Sequence, residues 1–148
     1  LIAHVLVALD ASARAPYVLA AAAEIAARFR AKLTLVRALA IPPDFPPAAH
    51  VSPRDPLPAF LLKEAQDALQ ALLATLPEGV AAGAPVVRVG QSWRAILDVA
   101  DELEVDLIVV GSHGYYGLDR ILGTTAGKVA NLSRRNVLVV HDRPTPAA

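Results

Sequence analysis

The chain is 148 residues long and 55% hydrophobic, enough to bury one core and too short for two ordinary domains. Fourteen Lys and Arg balance fourteen Asp and Glu, so no global field draws in nucleic acid or an anionic membrane, and any bound anion must be held by local geometry. There is no cysteine, which removes zinc-ribbon, iron–sulfur, thiol-nucleophile and disulfide-scaffold readings together.

No apolar run approaches the ~20 residues of a membrane helix. The start, Leu1-Ile2-Ala3-His4, shows no basic segment followed by an apolar core and cleavage site. These features point to a cytoplasmic protein without a membrane or nucleic-acid partner.

In chain order, the first apolar run is Val5 to Leu9, ending on Asp10. Val18, Ala22, Ile25, Ala26 and Phe29 follow at helical spacing and predict an amphipathic helix, with Pro16 in its first turn. A second run, Leu33 to Val36, leads into residues 40–58, which hold seven of the twelve prolines. This stretch is expected to form no helix and to be a long loop, either a surface excursion or a binding lid at the carboxyl edge of a sheet.

The next helix is predicted from Ala59 to Leu76, with Leu62, Ala65, Leu69, Leu72, Leu73 and Leu76 on one face. Val86 to Val89 is a third strand, after which Ser92 is a candidate N-cap for a helix carrying Ile96, Ala100 and Leu103. Leu107 to Val110 is a fourth strand, residues 124–133 a short helix, and Val137 to Val140 a fifth strand. Residues 144–148 read as a disordered tail, leaving one domain over 1–143 with the Pro-rich loop inside it. Continuously apolar strands alternating with helices predict an α/β fold, flavodoxin-like or Rossmann-like, with a five-stranded, mainly parallel sheet covered on both faces.

The segment Gly111-Ser112-His113-Gly114, then eight residues, then Gly123-Thr124-Thr125 carries the chemistry. It runs from a buried strand through a glycine-punctuated loop to a helix start. Glycine lets backbone N–H groups approach a ligand with no Cβ in the way, and a helix start offers unpaired N–H donors and partial positive charge. Gly111 and Gly114 suit close approach to a ribose or phosphate, and Gly123, Thr124 and Thr125 suit a polyphosphate. Turn geometry alone is the alternative for the glycines, and ordinary N-capping, compatible with phosphate contact, for the threonines.

This pattern resembles the nucleotide-binding branch of the universal stress protein family, which carries Gly-x-x-Gly, about nine residues, then Gly-Ser or Gly-Thr. The likeness covers nearly the whole chain: Val5 to Leu9 with Asp10 and Ser12, Gly90 with Ile96 and Ala100, and Val137 to Val140 resemble the family's first strand, third-strand exit and closing strand. The loop here is one residue short. The resemblance implies ATP accompanied by Mg²⁺, with Asp10 on the nucleoside, Ala38 against adenine, Leu9 lining the same pocket, and His113 inside the loop. A homodimer through Val137 to Val140 is expected from that apolar edge strand and is also implied by the resemblance, with unidentified protein partners; the residues show no positioned base, so no catalytic residue and at most slow ATP hydrolysis are expected. A nucleotide-free interaction module of the same fold is the alternative.

From the residues themselves, Asp10 also suits a turn carboxylate beside Ser12, and His113 has no visible carboxylate partner. Trp93 is expected to pack at the start of the third helix, and Lys128 and Arg120 to reach phosphates or solvent. The rival α/β sites are missing. There is no Gly-x-x-x-x-Gly-Lys-Ser/Thr string and no Rossmann fingerprint after the first strand, where Asp10-Ala11-Ser12-Ala13-Arg14 stands.

Overall fold

The computed structural model describes residues 1–39, 56–112 and 123–141, with α2 side chains from Ala59 onward. The elements are β1 (His4–Ala8), α1 (Ala15–Phe29), β2 (Lys32–Leu39), α2 (Pro56–Leu73), β3 (Val86–Val89), α3 (Ser92–Glu102), β4 (Leu107–Gly111), α4 (Thr124–Leu132) and β5 (Asn136–Val140). The five strands form one sheet in the order β3-β2-β1-β4-β5, and each of the four pairings is parallel. The fold is therefore α/β, with the strand order of Rossmann-like sheets.

The interior strands β1, β2 and β4 are buried on both faces over Val5 to Val7, Leu33 to Val36 and Leu107 to Val110, whereas the edge strands β3 and β5 keep Val89 and Leu138 partly exposed. Val5 and Val7 point into a core with α1 and α2, with Leu33, Leu35, Val18, Ala22 and Leu69. Leu6 points to the other face, with Val36, Ile108, Ile96, Val99 and Val129 from α3 and α4. Thus α1 and α2 cover one face and α3 and α4 the other.

Sequence expectation and structure differ at several element ends. Residues 40–58 are not helix-free throughout, because α2 already starts at Pro56. Pro56 and Pro58 sit in its first turn, where a residue without an N–H breaks no helical hydrogen bond. Residues 40–55, the remainder of the Pro-rich segment, lie outside the described residues, as does the tail. Ser92 is the first helical residue of α3 rather than its cap, since Gln91 takes that position in extended conformation. Phe29 ends α1 at the amino edge of the sheet and is 54% exposed instead of completing the buried stripe.

The amino edge is held by polar anchors. Asp106 Oδ2 accepts the N–H groups of Ala3 at 2.8 Å and His4 at 2.9 Å, tying the start of β1 to the turn before β4. His4 Nε2 meets Thr34 Oγ1 at 2.8 Å, linking β1 to β2. Arg135 donates to Asp101 and to the Val105 carbonyl, fixing the start of β5 to the end of α3 and the loop behind it.

β5 and β3 are the sheet edges. Val137 and Val139 pack on the α3/α4 core, whereas Leu138 faces the opposite side and is 36% exposed. A charge at Val139 would damage the protomer itself, so Leu138 is the residue through which an edge contact is perturbed cleanly.

Two predictions come from this architecture. Leu35→Ala, at a site with 0% exposure, is expected to cost about 2–5 kcal/mol through lost burial and the cavity left behind, read from urea unfolding. Stability is also expected to fall in acid in two stages. Burial, followed by the nearby Lys32 ammonium, pushes the His4 imidazole below its ordinary 6.5. The unfolded chain then takes that proton first, and stability declines as pH drops below about 6.5. The Ala3 and His4 N–H donors hold the Asp106 carboxyl below its ordinary 3.8, so its contribution is present above that value and is lost as pH falls through the lowered one. His4→Gln should remove the upper stage and Asp106→Asn the lower, in unfolding curves taken from pH 7 to pH 2.

Candidate functional site

The chain runs outward from β1 to β2 and β3 on one side, then crosses back through α3 to place β4 on the other side of β1. The strand order therefore reverses beside β1, and the connections leaving its carboxyl end separate. A crevice at such a switch point is where open α/β sheets take ligands.

A cavity of about 170 Å³ occupies that place, lined by Ala8, Leu9 and Asp10 after β1, Ala38 of β2, Val110 and Gly111 of β4, and Ser92, Ile96 and Thr125 of the helices. Its floor is apolar, with Leu9 5%, Ile96 3% and Val110 2% exposed. Asp10, Ser92 and Thr125 are its polar side chains. This volume is below the ~300–1,000 Å³ of a pocket for a whole drug-sized ligand, so it suits one flat portion of a larger molecule.

Local sequence explains each wall. Asp10 Oδ1 accepts the Ser12 N–H at 2.9 Å, and Ser12 Oγ accepts the Arg14 N–H at 3.2 Å. These side-chain-to-backbone bonds form the turn that swings the chain from β1 into α1. The turn reading of Asp10 is thus realised, and it fixes the exposed carboxylate at the cavity rim.

At the next wall, Gly90 has φ +146°, a value L side chains rarely adopt, and its N–H donates to the Leu39 carbonyl at 2.9 Å. That closes β3 against β2 and aims the first turn of α3 back over the sheet. On the far side, α4 begins after Gly123 without a side-chain cap, leaving its first N–H groups for other acceptors. The fourth strand ends on Gly111, whose register partner is Val140 of β5.

Of the residues expected from sequence, Leu9, Asp10, Ala38, Gly111 and Thr125 converge on the one cavity. Gly123 and Thr124 stand at the start of α4, half-buried and exposed respectively. His113 and Gly114 lie outside the described residues, as do Tyr115, Tyr116 and Arg120. Trp93 packs on the α3/α4 core, with Arg94 and Lys128 each 5.0 Å from its ring centroid, a cation–π distance. The sequence reading missed the α3 wall of the cavity, Ser92 and Ile96. Their spacing of four residues was the available signal, since it stacks both on one helix face.

A larger cleft of about 400 Å³ runs along α1 toward the end of α2, past Leu19, Ala20, Ala23, Ala27 and Leu76. It is mainly apolar, and its polar lining is Glu24, which pairs with Arg28, and Thr75, whose hydroxyl donates to the Leu72 carbonyl.

The family model described as Universal stress protein family matches residues 2–141. The chain belongs to the universal stress protein family. Universal stress protein A homolog 1 of Coxiella burnetii is 32% identical over 142 residues, covering 93% of this chain and 94% of that protein. The structure of universal stress protein UspA from Lactobacillus plantarum aligns with a TM-score of 0.73 at 28% identity, over 94% of this chain and 97% of that one. A universal stress protein solved in complex with cAMP aligns with a TM-score of 0.61 at 30% identity, over 95% of this chain and 97% of that one.

For this universal stress protein, the dual position of Asp10 yields a prediction. Asp10→Asn keeps a side-chain oxygen for the Ser12 N–H, so stability should stay within about 0.5 kcal/mol of wild type. Asp10→Ala loses that bond and should cost about 0.5–1.5 kcal/mol. Chemical denaturation of the pair separates the turn's contribution from that of the charge.

Proposed function

We propose that this universal stress protein is a cytoplasmic, nucleotide-responsive regulator that binds ATP with Mg²⁺. The observation carrying this reading is the cavity at the switch point, which gathers Asp10, Ala38, Gly111 and Thr125 around an apolar floor. The relative solved with cAMP supports an adenine nucleotide as the ligand class.

In this reading the base lies against Ala38 and Leu9, and Asp10 fixes the nucleoside. The phosphates leave toward the start of α4, where backbone N–H groups of Gly123, Thr124 and Thr125 receive them. Gly111 and the loop residues His113 and Gly114 complete the cradle. Mg²⁺ rides on the triphosphate, offsetting charge that a chain of zero net charge does not neutralise globally. The protein binds and signals occupancy to protein partners, and any hydrolysis is slow.

We further propose a homodimer through β5, which among the described residues is an edge strand with no neighbour on its outer side. Leu138→Lys is expected to shift the protein from dimer to monomer in light scattering at micromolar concentration, with an unchanged circular dichroism spectrum. A wild-type monomer at that concentration would refute the assembly.

The decisive experiment for binding is to purify the protein from cells, identify bound nucleotide by mass, and measure ATP and adenosine affinities by calorimetry. Gly123→Val should weaken ATP far more than adenosine, and Thr124→Ala should cost ATP about 0.5–1.5 kcal/mol because neighbouring amides remain. Gly114→Val should abolish binding. Wild-type protein that binds neither ligand would instead establish the nucleotide-free interaction module.

A further inference from the structure

The α3 wall of the cavity is supplied neither by the β1 aspartate nor by the glycine segment. It consists of Ser92 and Ile96, one helical turn apart. Ile96 belongs to the α3/α4 core and is 3% exposed, so it closes the floor and limits how deeply a ligand sinks. Ser92 stands above it, half-buried at the rim.

The helix start leaves the Ser92 hydroxyl available. At an N-cap, a serine oxygen is spent on an N–H of its own first turn. Here Gln91 occupies that position and makes no side-chain cap bond, moving Ser92 one residue into α3. No hydrogen bond among the described residues engages the Ser92 hydroxyl. α3 packs against both β2 and α4, and Ser92 lines the cavity together with Ala38 of β2 and Thr125 of α4.

We propose that Ser92 is a recognition residue for the base of the bound nucleoside, its hydroxyl bonding the polar edge while Ile96 sets the depth of the slot. This rests on the nucleotide binding proposed above. A serine hydroxyl both donates and accepts, so it can meet an amino group or a ring nitrogen. It therefore favours a base with a hydrogen-bonding edge over an apolar ring of the same size, and it acts on the part of the ligand common to adenosine and ATP.

The test is calorimetry on wild type, Ser92→Ala, Ser92→Thr and Ser92→Leu with adenosine, ATP and inorganic tripolyphosphate. Ser92→Ala is expected to fold as wild type, since no bond of the fold is lost and alanine favours helix. It should weaken adenosine and ATP by the same factor, about threefold to tenfold, the scale of one hydrogen bond. Tripolyphosphate binding should not change.

Ser92→Thr should recover most of the affinity, and Ser92→Leu, by filling the slot, should remove adenosine binding. If wild type binds adenosine and Ser92→Ala binds it within twofold, the Ser92 assignment is overturned while nucleotide binding stands. A loss confined to ATP overturns it too, by placing Ser92 at the phosphates. Wild type that binds none of the three overturns the underlying reading as well.

Discussion

β1 pairs in parallel with β2 on one side and β4 on the other, and this central position sets the rest of the molecule. Parallel strands require crossover connections, and right-handed crossovers running in opposite directions from one strand must lie on opposite faces of the sheet. The pairs α1/α2 and α3/α4 are accordingly separated into two cores. The same separation opens the crevice above β1, so packing and ligand access have one topological origin.

The two ends of the sheet use polar groups differently. At the amino edge, Asp106, His4, Thr34 and Arg135 are engaged with backbone or neighbouring side chains, and their chemistry is spent on joining elements. At the carboxyl edge, the Asp10 turn, the uncapped start of α4 and the Ser92 hydroxyl surround an apolar floor. Hydrogen-bonding groups arranged around an apolar floor suit a nucleoside: burial favours the ring, and the polar rim fixes its orientation. With a net charge of zero, discrimination has to come from such placement rather than from a long-range field.

Chain-specific choices at helix starts shape this rim. In α1 the proline at its second position suits a first turn whose N–H groups have no helical partners. The α2 start repeats the device at Pro56 and Pro58, and for that reason proline density failed to mark the end of the loop. In α3 the exchange of cap between Ser92 and Gln91 releases a hydroxyl toward the cavity. A displacement of one residue thus changes Ser92 from a capping group into part of the cavity wall.

Much of this was legible in the sequence. Continuous apolar runs at Val5, Leu33 and Leu107 marked strands buried on both faces, the run at Val137 marked an edge strand covered on one, and the stripe at Val18, Ala22 and Ala26 marked α1, because the periods of burial follow from backbone geometry alone. Asp10, Ala38, Gly111 and Thr125 were legible as candidate site residues through the family pattern they carry. Strand order, the face each helix takes, and the meeting of Ser92 and Ile96 with Asp10 and Thr125 were not. They depend on contacts between segments far apart in the chain, and the local signal at Ser92 was the same for a cap as for a first helical residue. The sequence by itself determined which segments are strand or helix and which residues carry polar chemistry. Only the tertiary structure decided which of those residues share a cavity, because crossover packing around β1 is what brings the ends of separate elements together.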